Sequence, residues 1–218
     1  MKKTTIFIKI GTLISIMLVL FACNPIENDS DSTMMLLVES LTGLDQEGTE
    51  SNFIQSDVLT EDPTTGAGTI FADIGNASLR AQFLDPEPFL GTSQYNSIIV
   101  TRYIVSYFRS DGKNREGIDI PYAFEGYLNE LIETNQTVQV SFVIVREVAK
   151  AEPPLVDLAI GRSDGVLEMR ARVEFFGHDI TNREVKASGY ITIFFANYAG
   201  SGGSGGGGGG ETQGKKGE

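Results

Sequence analysis

Residues 167–175, LEMRARVEF, and residues 185–195, VKASGYITIFF, decide the fold of this 218-residue chain. In the first segment, apolar residues at odd positions alternate with charged residues at even positions. The second segment alternates in the same way, with small or apolar residues at its odd positions. Successive side chains of a strand point to opposite faces, so each segment predicts a strand with one buried side. The polar residues His178–Arg183 between them predict the turn of a long antiparallel hairpin.

Other stretches carry the same signal with less regularity. Val138–Ile144 repeats the alternation, whereas Ile98–Phe108 is richer in β-branched and aromatic residues. The second pattern predicts a central strand that is buried on both faces or that carries a bulge near Thr101 and Arg102. Weaker strand signals lie at Met34–Leu41, Phe53–Leu59, Ile70–Ile74 and Ala77–Leu84.

Three segments between these strands require a separate interpretation. Gly75–Asn76 is a turn-forming pair, and it predicts that Ile70–Ile74 and Ala77–Leu84 are two different strands. Leu155–Ile160 predicts a helical turn that links strands. Leu128–Ile132 fits both a strand and a helical face, and the sequence leaves this choice open.

Together these segments predict one all-β domain over residues 34–199, a single antiparallel β-sandwich. Short strands separated by turn signals, without a sustained helical period, favour this architecture. Tyr103–Tyr107, which runs on to Asp111–Gly112, resembles the third strand and its turn in immunoglobulin-like and fibronectin type III-like sandwiches. This resemblance implies an immunoglobulin-like fold.

A second resemblance covers most of the folded part, Ser56–Asn197. Thr101–Asn114, Gly117–Tyr122 and Glu174–Asp179 are similar to blocks in uncharacterised bacterial lipoproteins. The resemblance implies a lipid-anchored sandwich protein, and it implies no activity.

The first 22 residues predict a secretory signal. Lys2, Lys3 and Lys9 form a basic start, and Ile10–Phe21 is an almost unbroken apolar run. A permanent membrane-spanning helix needs ~20 apolar residues, which this run does not reach. A basic start, a short apolar core and a small residue before a cleavage site are typical of a leader that is removed on maturation.

Leu20-Phe21-Ala22-Cys23 resembles the lipobox of bacterial lipoproteins. In that family the thiol of the cysteine receives a diacylglycerol, and the leader is cut just before it. The resemblance implies that Cys23 is lipidated, that the membrane is a partner through this lipid, and that the protein resides in the bacterial cell envelope. Asn24 stands where an Asp would retain some lipoproteins in the inner membrane, so the outer membrane is favoured. An unlipidated secreted protein is the alternative.

The segments that flank the domain are predicted to be flexible. Residues 23–33 are polar and acidic after Cys23, and predict a tether between lipid and domain. Residues 200–218 are dominated by glycine and predict a disordered tail that behaves as a flexible coil.

Composition excludes several classes of function. The chain has 29 acidic and 17 basic residues, a net charge of −12, and the leader holds three of the lysines and no acid. Such a chain is not expected to bind nucleic acid, whose phosphates need a basic surface. Cys23 is the single cysteine, so a disulfide within one chain and a cysteine zinc cluster are excluded.

The sequence offers few candidates for a reactive or metal-binding site. Asp111, Asn114 and Asp119 share one glycine-containing loop and are weak candidates for calcium ligands. His178 is the single histidine and lacks a recognisable nucleophile or ligand partner. Residues 133–137, ETNQT, resemble a bacterial N-glycosylation site, and Asp57, Glu61 and Asp62 form a second acidic loop. We therefore predict no enzyme activity, no catalytic residue and no cofactor.

The leading hypothesis from the sequence is a non-enzymatic binding or assembly module. The loops Asp111–Pro121 and Asp85–Tyr95 are its expected contact regions, and the expected partner is an envelope protein or a surface polymer. The first alternative is a small carbohydrate-active or carbohydrate-binding accessory protein, which would use acids and tyrosines in a cleft. The second alternative is a calcium-stabilised adhesion domain.

Overall fold

The computed structural model describes residues 32–45, 48–62, 64–85, 96–163 and 165–198. The predicted leader, Cys23, almost all of the tether, the glycine-rich tail and residues 86–95 lie outside this part of the chain. The elements of the described residues are, in chain order, β1 (Met34–Leu44), β2 (Glu50–Ser51), β3 (Phe53–Asp57), β4 (Thr60–Glu61), β5 (Gly68–Thr69), β6 (Asp73–Phe83), β7 (Ser97–Phe108), β8 (Phe124–Glu133), β9 (Thr137–Val145), α1 (Glu147–Lys150), α2 (Leu155–Ala159), β10 (Leu167–Asp179) and β11 (Glu184–Ala196).

The long strands form two sheets, as the all-β prediction requires. One sheet has the order β2-β1-β6-β9, and the other has the order β3-β11-β10-β7-β8. The pairs are antiparallel except β3 with β11, which are parallel. The short strands β4 and β5 form a separate ribbon. The prediction of an all-β, mainly antiparallel fold is confirmed.

The hairpin β10–β11 has the register and the faces that the sequence predicts. It pairs continuously from Leu167 with Phe195 to His178 with Glu184. Met169, Val173 and Phe175 are buried, whereas the even-numbered positions of β10 are exposed or half-buried. The alternation therefore follows from a core on one side of the strand only.

The core lies between the two sheets. Phe142 of β9 packs edge-on against Phe175 of β10, with ring centroids 5.4 Å apart, and against Tyr103 of β7 at 5.1 Å. The Tyr107 hydroxyl donates a hydrogen bond of 2.6 Å to the carbonyl oxygen of Ile144, which joins β7 to β9. These contacts cross from one sheet to the other, so the two sheets form a sandwich around one core.

Two local features adapt the strands to this packing. The pairing of β7 with β8 shifts between Val100 and Arg102, which confirms the predicted bulge. At Gly189 of β11, a Cβ atom would lie 2.7 Å from Cδ1 of Leu41 in β1. A larger residue at this position would require the Leu41 side chain to move.

The prediction of a turn at Gly75–Asn76 is wrong. β6 runs without interruption through both residues, which pair with Phe142 and Ser141 of β9. The Ser141 hydroxyl donates a 2.7 Å hydrogen bond to Oδ1 of Asn76, so the pairing uses the polar side chain. Long-range strand pairing here outweighs the local turn preference.

The remaining segments resolve the open choices. Leu128–Ile132 belongs to strand β8, because it pairs with β7 along the edge of the larger sheet. The helical turn predicted at Leu155–Ile160 is present as α2. The sequence did not predict α1, which follows β9 directly. No helix within the described residues is long and apolar enough to cross a membrane.

Candidate functional site

The two ends of the sandwich carry different segments. The proximal end is defined by Ser32, residues 133–136 and the turn 180–183. The distal end is defined by the loop 109–123 and by residues 146–166, which include both helices. β10 has 13 residues, and a strand rises ~3.3 Å per residue, so the ends are about 40 Å apart.

A buried aspartate fastens the beginning of the described chain to the proximal end. Ser32 donates a 2.8 Å hydrogen bond to Oδ2 of Asp179, the last residue of β10. Oδ1 of Asp179 accepts hydrogen bonds from the Thr181 hydroxyl at 2.7 Å and from the Arg183 backbone amide at 3.0 Å. Burial alone would raise the pKa of Asp179, but these hydrogen bonds outweigh it and hold the pKa below its ordinary value. These contacts hold Ser32, the first described residue, at the proximal end.

The single histidine also lies at the proximal end. Nδ1 of His178 is 3.0 Å from the backbone oxygen of Asp179, and the side chain is half-buried on the outer side of β10. The possible glycosylation site at residues 133–137 occupies the neighbouring turn, where Asn135 has a φ of 61°. Neither candidate is near the loop 109–123.

The three weak calcium candidates all lie in the distal loop, each with its own internal partner. Arg109 binds Asp111 through Nη2 at 2.6 Å, and Arg115 binds Asp119 through Nε at 2.7 Å. Hydrogen bonds from these arginines lower the pKa of both carboxyl groups. Oδ1 of Asn114 accepts a hydrogen bond from the Arg109 amide at 2.7 Å. These oxygens stabilise the loop, and no group of three His, Cys, Asp or Glu within the described residues could hold a metal ion.

The second acidic loop is likewise held by its own hydrogen bonds. Oδ1 of Asp62 accepts the backbone amides of Thr64 and Thr65, which forms a turn. Oδ1 of Asp57 accepts the amide of Tyr198 at 3.2 Å and ties the last described residue to β3.

A buried charged network closes the distal end. Nζ of Lys150, in α1, is 2.8 Å from Oδ1 of Asp73 and 2.8 Å from the backbone oxygen of Asp57. The Ser56 hydroxyl donates to Oδ2 of Asp73 at 2.5 Å. Lys150 is 1% exposed, and burial of Asp73 raises the pKa of its carboxyl group against the opposing effect of the lysine. The network joins α1 to β3 and β6.

Exposed apolar side chains concentrate at the distal end. Ile118 is 56% exposed in the loop 109–123, and Tyr122 is 52% exposed in the same loop. Other large exposed hydrophobic residues on the elements and loops of this end are Leu44, Phe71, Ile74, Phe108, Val148, Ile160 and Val166. Exposed apolar groups of this kind are typical of interaction surfaces.

The outer face of the larger sheet bears arginines beside aromatic rings. Arg102 lies over the ring of Phe176, with its Cζ 4.1 Å from the ring centroid, and Arg170 lies over Tyr190 at 5.4 Å. Both distances are within the range of cation–π attraction. Near the distal end this face forms an open cleft of about 300 Å³, lined by Phe108, Arg109, Ser110, Glu168, Arg170 and Thr192, among others.

The sequence did not single out the residues of this cleft. Phe108, Arg170 and Thr192 belong to three different strands, β7, β10 and β11, and the register brings them into one row. The available signal was the charged outer face of residues 167–175, which identifies Arg170 as outward-facing and does not identify its neighbours. Lys150 was missed for a similar reason, because its partner Asp73 is 77 positions away.

Comparison with known proteins gives no relative from which a function could be inferred. No family model matches the chain, and no curated protein sequence matches it.

Proposed function

We propose that this protein is a bacterial envelope lipoprotein, anchored by a lipid on Cys23, whose sandwich binds a partner at the distal end. The lipid on Cys23 is proposed from the motif Leu20-Phe21-Ala22-Cys23. The observation that carries the binding part of the proposal is the group of exposed apolar side chains at the distal end, which includes Ile118 and Tyr122 of the loop 109–123.

This arrangement sharpens the sequence hypothesis about contact loops. Of the two loops proposed from the sequence, Asp111–Pro121 follows β7 at the distal end, whereas residues 86–95 of the other loop lie outside the described residues. We therefore assign partner binding to the loop Asp111–Pro121. Binding residues on loops that a rigid sheet positions are common in proteins.

The strand order supports an immunoglobulin-like identity for the domain. Immunoglobulin-like sandwiches divide their strands between two sheets through Greek-key connections. Here β6 and β9 pair in one sheet, while β7, β8, β10 and β11 lie in the other. The first strand also divides, because β1 pairs with β6 and β3 pairs with β11. Domains of this architecture bind partners through the loops at one end or through a sheet face.

The placement of the reactive side chains favours binding over catalysis. Ser56 and Lys150 meet at Asp73, but both are almost completely buried and bind structural partners. His178 lies at the other end of the sandwich. A nucleophile needs a base within hydrogen-bond reach and access to a substrate, which this arrangement does not provide.

The lipid anchor is tested by mass spectrometry of the protein from its native host. We expect a chain that begins at Cys23 and carries a diacylglycerol, and that stays with the membrane fraction. The Cys23→Ala variant should retain its leader or leave the membrane. An uncleaved, unmodified leader in the native chain would refute the anchor.

Partner binding is tested by affinity capture of the full chain from detergent-solubilised envelope. We expect a defined envelope protein or polymer to be recovered, and no turnover of envelope polymers by the purified chain. Empty captures together with hydrolysis of an envelope polymer would favour the enzyme alternative. The carbohydrate-binding alternative is supported by one specific feature, the cleft on the outer face of the larger sheet.

A further inference from the structure

The geometry points to a saccharide site in the cleft beside Arg170, specific for a sugar unit that bears one carboxylate within an otherwise neutral glycan. This inference rests on the proposed binding function and gives it a ligand class. The cleft lies near the distal end, on the outer face of the larger sheet.

The floor of the cleft is a row of side chains across three strands. Arg170 pairs with Phe108 of β7 on one side and with Thr192 of β11 on the other. Tyr190 lies one step along β11 on the same face, diagonal to Arg170, at a spacing that allows contact across strands. Phe108 is 40% exposed and Tyr190 is 54% exposed, so both rings are open to a ligand.

Arg109 and Arg170 are the two cationic side chains that line the cleft. Arg109 binds Asp111 at 2.6 Å. Arg170 forms no ion pair within the described residues, and its contact is with the Tyr190 ring. Stacking on a ring fixes the guanidinium plane and leaves its edge for a carboxylate, which it can bind through two parallel hydrogen bonds.

The other lining groups suit a sugar better than a peptide or a polyanion. The exposed ring of Phe108 offers an apolar face to the C–H groups of a sugar ring, while the hydroxyls of Ser110 and Thr192 can exchange hydrogen bonds with sugar hydroxyls. Glu168 accepts hydrogen bonds from hydroxyls and repels additional negative charge. The strongly acidic chain also repels a densely charged polymer, so one isolated carboxylate is the favoured ligand charge.

The test uses matched pairs of oligosaccharides and the full chain in detergent. Cellobiouronic acid differs from cellobiose by one carboxylate in place of a hydroxymethyl group, and sialyllactose differs from lactose by one added sialic acid unit. Titration calorimetry should show tighter binding of the acidic member in at least one pair. Arg170→Ala should weaken that binding roughly 10- to 100-fold, as expected for the loss of hydrogen bonds to a charged group.

Two matched variants separate the cleft from the rest of the face. Arg172→Ala removes an ion-paired arginine two residues along the same strand, and it should leave the affinity unchanged. Tyr190→Ala should weaken binding, whereas Tyr127→Ala, which removes an 80% exposed ring on the edge strand β8, should not.

The inference fails if no acidic oligosaccharide binds more tightly than its neutral partner. It also fails if Arg170→Ala binds as tightly as the native chain. Capture of an envelope protein by the same preparation would then show that the proposed function survives without the saccharide site. If the native chain neither binds an acidic oligosaccharide nor captures an envelope protein, the proposed function is refuted as well.

Discussion

Each end of the sandwich is closed by one aspartate with a low solvent exposure, but the two aspartates are stabilised differently. At the proximal end, Asp179 accepts neutral donors from Ser32, Thr181 and Arg183, two of which belong to its own turn. At the distal end, Asp73 accepts hydrogen bonds from the ammonium group of Lys150 and from the Ser56 hydroxyl, and both residues lie outside the local segment of Asp73. The proximal end is therefore stabilised by a local turn that also binds Ser32. The distal end is stabilised by a buried ion pair between residues that are far apart in the sequence.

The largest expected effect is the loss of the buried cation at the distal end. Lys150→Met leaves the Asp73 carboxylate without its charged partner, and breaking a buried pair costs about 3–5 kcal/mol of the free energy of unfolding. Urea unfolding of the full chain at neutral pH measures this loss. Lys113→Met, in the exposed distal loop, is the control and should change the free energy by less than about 0.5 kcal/mol.

The double variant Lys150→Met with Asp73→Asn sharpens the same comparison. It removes both charges, so no unpaired charge remains buried. The double variant should therefore recover much of the stability that Lys150→Met alone loses. If the two changes simply add, the two side chains are not coupled and the description of the distal end is wrong.

Asp179→Ala should have a smaller effect at the proximal end. It leaves the Ser32 hydroxyl and the Arg183 amide without their acceptor, and hydrogen bonds to a charged group contribute about 1.5–3 kcal/mol. We expect a loss of about 2 kcal/mol in urea unfolding. Protease cleavage near Ser32 should also become faster, because the chain there is no longer fastened. Unchanged cleavage would contradict the role assigned to this contact.

The two aspartates predict opposite dependences of stability on pH. The folded-state pKa of Asp179 is lowered, so its contribution is complete above about pH 4 and is lost as the pH falls through that lower pKa. The folded-state pKa of Asp73 is raised, so its contribution is complete below about pH 4 and is lost as the pH rises through that higher pKa. Urea unfolding of the native chain, Asp179→Asn and Asp73→Asn between about pH 3 and pH 7 measures both differences. The two slopes should have opposite signs, and slopes of the same sign would contradict the comparison.

Calcium should have the smallest effect on the stability of the domain. The oxygens of Asp111 and Asp119 already bind Arg109 and Arg115, so a cation would have to displace both arginines. We expect the same melting temperature of the full chain in calcium and in a chelator. A calcium-dependent rise that Asp119→Ala abolishes would instead favour the adhesion hypothesis.

Regular alternation made the hairpin over residues 167–195 predictable. The alternating side chains of both strands indicate one buried face, and the turn between the strands is polar. The bulge at Thr101 was also predictable, because the alternation breaks there. The prediction of a turn at Gly75–Asn76 failed because turn preference is a local property, whereas the pairing of these residues with Phe142 and Ser141 depends on a strand far along the chain.

The candidate site was much less predictable than the fold. The cleft depends on the register of three strands, and a single sequence does not state which residues become cross-strand neighbours. The burial of Lys150 likewise depends on a distant aspartate and could not be read from its own segment. Ile118 was covered only by the general expectation that the loop Asp111–Pro121 contacts a partner, and Tyr122 lies just outside that loop.

The most direct test of partner binding at the distal end compares two isoleucines at opposite ends of the sandwich. Ile118 is 56% exposed in the distal loop, and Ile180 is 43% exposed in the proximal turn. Each is replaced by glutamate in the full chain, and partner capture from solubilised envelope is quantified for both variants. We predict that Ile118→Glu loses the partner while Ile180→Glu retains it. Capture that survives Ile118→Glu, or that is lost with Ile180→Glu alone, would contradict the account.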